Sequence, residues 1–106
     1  MNRKALMEER PLEVNVKIKY MAVLKGLSQN PERTLRINGN SFSDLITILK
    51  SDECEPVKSR LFLNGSKLRP DIIVFINNSE ASMLGGERAE LKEGDEVTFL
   101  PSVHGG

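Results

Sequence analysis

Val14-Asn15-Val16-Lys17-Ile18-Lys19-Tyr20 alternates apolar and polar residues without a break. Successive strand side chains leave on opposite faces, so the stretch reads as a half-buried strand with Val14, Val16, Ile18 and Tyr20 turned inward. The rest of the chain is arranged around it. Gly26, Ser28, Asn30 and Pro31 mark a loop. Arg33 to Ile37 predicts a second strand, antiparallel to the first, with Leu35 and Ile37 on one face, and Asn38-Gly39-Asn40 stops it. Ser41 followed by Asp44 is a helix-capping arrangement. Phe42, Leu45, Ile46, Ile48 and Leu49 then recur at helical spacing, so the main helix runs from Ser41 to about Lys50 with its apolar stripe over the sheet.

Pro56 through Leu63 reads either as a short helical segment or as an irregular connection, and Asn64-Gly65 is a turn. Ile72-Ile73-Val74-Phe75-Ile76 is β-branched and aromatic, with apolar residues on both faces, as in a strand covered on one side and contacted on the other. Asn77-Asn78 turns it. Lys92-Glu93-Gly94-Asp95 turns the chain into a last strand from Glu96 to Leu100, where parity sets Val97 and Phe99 on one face and Thr98 and Leu100 on the other. If the first pair is core, Leu100 is an exposed apolar residue. The order is strand, strand, helix, strand or strands, final strand, an α+β arrangement with one main helix on one face of a mixed sheet.

With 106 residues the chain fits one small domain that needs neither disulfides nor a metal. Residues 1–12 mix charges with isolated apolar residues and read as a mobile N-terminal arm, 13–100 as the domain, and 101–106 as a flexible tail ending in Gly-Gly. Lys plus Arg and Asp plus Glu both number 15, so no global field attracts a polyanion or an anionic membrane, and direct nucleic-acid binding is not expected. The longest apolar run, Ile72 to Ile76, is too short to cross a bilayer, and a cytoplasmic location is the default expectation. Cys54 stands alone among acids and His104 is the single histidine, so no internal disulfide, metal ligand set or catalytic residue of the chain's own is visible.

Attention falls on the end, Val97-Thr98-Phe99-Leu100-Pro101-Ser102-Val103-His104-Gly105-Gly106. Glycine lacks a Cβ, so a tandem pair can thread a slot that larger residues would block. A strand followed by such a tail suits chemistry in which the terminal carboxyl group is itself the substrate. Gly85-Gly86 repeats the dipeptide inside the chain, but without a free carboxylate it is read as a turn.

The chain resembles ubiquitin-like β-grasp proteins of the sulfur-carrier branch, with an expected sheet of four to five strands. Two families match. Phe99-Leu100-Pro101-Ser102-Val103-His104-Gly105-Gly106 is similar to the tail of the molybdopterin synthase small subunit. Arg69-Pro70-Asp71-Ile72-Ile73-Val74-Phe75-Ile76-Asn77, with Leu84-Gly85 and the closing His104-Gly105-Gly106, resembles the ubiquitin-related modifier family. The resemblance covers the C-terminal two-fifths in detail and the rest in element order.

The resemblance implies a cycle of carboxyl activation. A ubiquitin-activating-type adenylyltransferase would bind the domain and ATP and adenylate Gly106, with Gly105 giving clearance. A sulfur-donating persulfide enzyme would then displace AMP to leave a thiocarboxylate. The sulfur would go to a transfer RNA base or a pterin precursor through an accepting enzyme, or a target-protein lysine would capture the activated carboxyl. Leu100, Pro101, Val103 and His104 are the candidate partner-binding residues, no cofactor is bound, and the chain is carrier and substrate rather than enzyme. The competing readings are the small subunit of molybdopterin synthase and a passive interaction module whose end is idle.

Overall fold

The structure, a computed structural model, describes residues 12–64 and 67–102. Glu13–Tyr20 forms β1 and Glu32–Asn38 forms β2, paired antiparallel with Val16 opposite Leu35 and Ile18 opposite Arg33. The alternation in β1 gives the expected result, with Val16, Ile18 and Tyr20 buried and Lys17 exposed.

The linking segment is more ordered than its glycine and serine suggest. Val23–Leu27 makes a helical turn, α1, closed by the Ser28 amide donating to Leu24 O at 3.1 Å. Leu24 is the reason. Its fully buried side chain plugs the end of the core, and burial of a leucine contributes about 2 kcal/mol, enough to hold one turn whose local propensity is weak.

The main helix, α2, spans Phe42–Asp52 and starts as its sequence signals. Ser41 Oγ accepts from the Asp44 amide at 3.1 Å, and Asp44 Oδ2 accepts from the Ser41 amide at 3.1 Å, a complete capping box. Asp44 also accepts from the Asn40 amide. Gly39, at φ 117°, must be glycine, because a Cβ there would lie 2.1 Å from that carboxylate. Phe42, Leu45, Ile46 and Leu49 are buried and Ile48 packs at their margin.

Of the two readings left open for residues 56 to 63, the helical one holds. Glu55–Leu61 forms α3, with Pro56 in its first turn, where no amide is needed, and Val57 and Leu61 buried four residues apart. Phe62–Leu63 (β3) and Lys67–Leu68 (β4) then make a small separate hairpin.

Ile72–Ile76 (β5) pairs antiparallel with Ser79–Glu80 (β6) and with Glu96–Pro101 (β7), and β7 runs parallel to β1. The five-stranded sheet has the order β2-β1-β7-β5-β6, the β-grasp arrangement. Gly85 and Gly86 are both at positive φ, Gly85 linking two short 3₁₀ turns and Gly86 opening the second, in keeping with a turn role. Phe99 lies at the centre of the core, edge-on to Tyr20 at 5.7 Å and stacked on Phe42 at 6.2 Å.

Candidate functional site

Strand β7 carries the chain out of the core, and its two faces differ. Val97, Phe99 and Pro101 point inward and are buried, whereas Glu96, Thr98 and Leu100 point outward and are half-buried. Two expectations change here. Pro101, assigned to the tail and to partner binding, is the last residue of β7, opposite Ile72, and shares the inward parity of Phe99. A partner cannot reach a side chain turned into the core, so Pro101 leaves the docking set. Leu100 is outward as expected but half-buried rather than exposed, because Ile73 stands opposite it on β5. Val103, His104, Gly105 and Gly106 lie outside the described residues, as do residues 1–11 of the arm.

The outward face has two halves. On β5 and β7, Ile73, Phe75 and Leu100 form a half-buried apolar strip around Thr98. On β1 and β2, Lys17 and Lys19 pair with Glu32 at 3.8 and 3.9 Å, and Lys19 also reaches Glu96 at 3.9 Å. Such exposed pairs add little stability, but they give the strip a charged border, the pattern of an interface core and rim.

Where β7 ends, the chain is anchored to Asp71. The Ser102 amide donates to Asp71 O at 2.7 Å, and the Ile72 amide donates to Arg69 O at 3.0 Å. Arg60 grips the Asp71 carboxylate with both terminal nitrogens, at 3.0 and 3.3 Å. The Arg60 hydrogen bonds, then the charges of Arg60 and Arg69, hold the Asp71 carboxyl below the usual carboxylate range despite some desolvation. This anchor does not follow from the sequence, although Arg69-Pro70-Asp71 stands just before an apolar strand. Its other half, Arg60, comes from a different helix that spacing does not connect.

Cys54 is exposed at the start of α3, with Sγ 3.8 Å from Leu27 O. Among the described residues no three histidines, cysteines or carboxylates gather as a metal site, and no helix is long and apolar enough to cross a membrane. The arrangement presents a strand end with a half-buried apolar surface beside it.

Known proteins resemble this chain in sequence and in fold. The ubiquitin-related modifier 1 homolog of Drosophila grimshawi is 34% identical over 77 residues, 71% of this chain and 74% of that protein. The chain spans about half the length of several other curated ubiquitin-related modifiers that it matches. The small archaeal modifier protein 1 of Methanosarcina acetivorans superposes with a TM-score of 0.74 at 29% identity, over 90% of this chain and 99% of that one. A chain of the Amycolatopsis orientalis BexX/CysO complex does so with a TM-score of 0.64 at 30% identity, over 86% and 99%. Residues 15–106 match the model of the Urm1 (ubiquitin related modifier) family, and the chain belongs to that family.

Proposed function

We propose that this chain is a ubiquitin-like sulfur carrier and protein modifier that reacts through the carboxyl group of Gly106. The supporting observation is the end of β7, where a strand rooted in the core by Phe99 is pinned at Asp71 beside the strip Ile73, Phe75 and Leu100. From Ser102, four residues reach at most about 14 Å, so docking the sheet face would place Gly106 within a defined radius in a partner's active site. Family membership favours this reading over a molybdopterin synthase small subunit.

In the proposed cycle a ubiquitin-activating-type partner transfers AMP from ATP to the Gly106 carboxylate and releases pyrophosphate. A persulfide on a sulfur-donor enzyme attacks the acyl carbon and displaces AMP, giving an acyl disulfide. A thiol then reduces that disulfide and frees the thiocarboxylate. The sulfur passes to a transfer RNA base through an accepting enzyme, or a lysine amine attacks the acyl carbon of the adenylate, expels AMP and forms an isopeptide. Gly105 contributes clearance, and Val103 and His104 contact the partner. ATP belongs to the activating partner, and the cycle operates in the cytoplasm.

Intact-mass analysis of protein from its own cells tests this reading. One terminal oxygen replaced by sulfur, with lysine-linked conjugates alongside, is the expected result. Deletion of Gly106 should abolish adenylation by the partner with the melting curve unchanged, and undiminished adenylation would overturn the assignment. Leu100→Asp should weaken partner binding by ten-fold or more, the scale of an interface hot spot of about 2 kcal/mol, while the domain stays folded. Normal affinity in a folded variant removes Leu100 from the interface.

A further inference from the structure

Away from the outward sheet face, an open cavity of about 500 Å³ lies where α2, α3 and the β3–β4 hairpin meet. Its charges are lopsided. Lys50 comes from the last turn of α2, Lys58 from α3 and Arg69 from just beyond β4, against a single lining carboxylate, Glu55. The even charge of the whole chain therefore conceals a local excess of cations.

These cations are poorly neutralised. Lys50 has no ion-pair partner among the described residues. Lys58 pairs with Glu55 at 3.2 Å, but the Glu55 side chain is 82% exposed and such a pair is weak. Arg69 competes with Arg60 for Asp71 and loses, because Arg60 holds both carboxylate oxygens while Arg69 Nε stays 3.6 Å from Oδ1, too far for a hydrogen bond. That Nε is buried and has no hydrogen-bond partner among the described residues. A buried donor left unpaired is costly, and a planar guanidinium that lines one cavity with two ammonium groups offers the charges a tetrahedral oxyanion needs.

We propose that this cavity binds the phosphate group of a phosphorylated ligand. Lys50, Lys58 and Arg69 hold the phosphoryl oxygens, and the Ser59 hydroxyl and Asn64 amide complete the polar wall. Phe62 and the half-exposed Leu63 give an apolar side for the organic part of the ligand, and the volume suits a nucleotide-sized group. Arg69 also lines the neighbouring cleft with Pro70, Asp71 and Ser102, so the bound anion would sit one side chain from the root of the reactive end. The phosphate could come from a mononucleotide or from a nucleic-acid backbone.

The test is titration of the full chain by heteronuclear NMR with inorganic phosphate, AMP and a short single-stranded oligoribonucleotide, at fixed ionic strength in chloride. Saturable shifts confined to residues around Lys50, Lys58 and Arg69 are expected, with tighter binding of whichever of AMP and the oligonucleotide is the true source. Lys50→Glu/Lys58→Glu should weaken binding at least ten-fold. Lys25→Glu/Lys92→Glu carries the same charge change away from the cavity and should weaken it less than two-fold. Melting curves of both variants confirm that each is folded, and Arg69→Lys, which removes Nε but keeps the charge, supplies a milder probe. Equal loss in both double variants would reduce the effect to net charge and overturn the site. So would the lack of saturable shifts with all three probes, or preferential binding of an oligoglutamate peptide over the phosphates.

Discussion

Glu53 and Asp71 are both carboxylates gripped by arginine, but their surroundings are opposite. The Glu53 side chain is 6% exposed and takes hydrogen bonds from the Arg33 guanidinium and the Tyr20 hydroxyl, with Arg33 also lying 5.9 Å over the Tyr20 ring. One carboxylate meets one cation and one buried hydroxyl, and both donors converge on the same oxygen, Oε2. This closed cluster ties the end of α2 to β1 and β2. At Asp71 two arginines meet one carboxylate, the Asp71 side chain is 19% exposed and that of Arg69 39%, and a guanidinium nitrogen is left over. A closed cluster locks a fold together, whereas an open one leaves charge free to meet something else, and the open one stands where β7 lets the chain go.

The largest expected effect comes from breaking the closed cluster. Glu53→Gln leaves the Arg33 charge partly buried and unpaired, which should cost about 3 kcal/mol and lower the melting temperature by roughly 10 °C or more. Tyr20→Phe keeps the ion pair and removes one hydrogen bond, so about 1 kcal/mol is expected. If the two variants melt alike, Arg33 finds compensation in solvent and the cluster is not closed in the sense argued here. Asp71→Asn should destabilise less than Glu53→Gln, because Arg60 and Arg69 can both turn to water. Denaturant melts of the three variants rank the clusters directly.

Much of this architecture was readable in the chain. Strand β1 and helix α2 announce themselves because each has a strict period, and Ser41 and Asp44 form the capping box that their spacing promises. The inward turn of Pro101 was also readable, since it shares parity with Val97 and Phe99, but a proline just past a strand suggests an exit rather than a last core residue. Helix α1 was not readable, because Gly26 and Ser28 signal a loop while one tertiary contact, Leu24, imposes the turn. The pairing of Arg33 with Glu53, 20 residues apart on different elements, follows from no spacing rule, and the same is true of Arg60 with Asp71. Periodicity writes elements and faces into a sequence, while ion pairs between elements appear only once the sheet register is fixed. The Gly105-Gly106 end is the reverse case, legible in the sequence but outside the described residues.

The smallest effects are those of pH, and they separate the clusters by sign. Burial, then the Glu53 hydrogen bond and charge, raise the Tyr20 phenol well above its ordinary value of 10.0. The unfolded phenol therefore loses its proton near pH 10 while the folded one keeps it, so the stability this group lends is intact below pH 10 and declines above it. Asp71 is lowered from 3.8, so its contribution is intact above about pH 4 and is lost as pH falls toward the lowered folded value. Stability profiles of Tyr20→Phe and Asp71→Asn against the native chain should thus differ at opposite ends. Tyr20→Phe should remove part of the alkaline decline above pH 10 and leave the acid limb alone. The deficit of Asp71→Asn should shrink below pH 4 and be constant from pH 5 to 9. An acid-limb change in Tyr20→Phe would mean that the two clusters are coupled through the sheet, and their division into a lock and an open anchor would not stand.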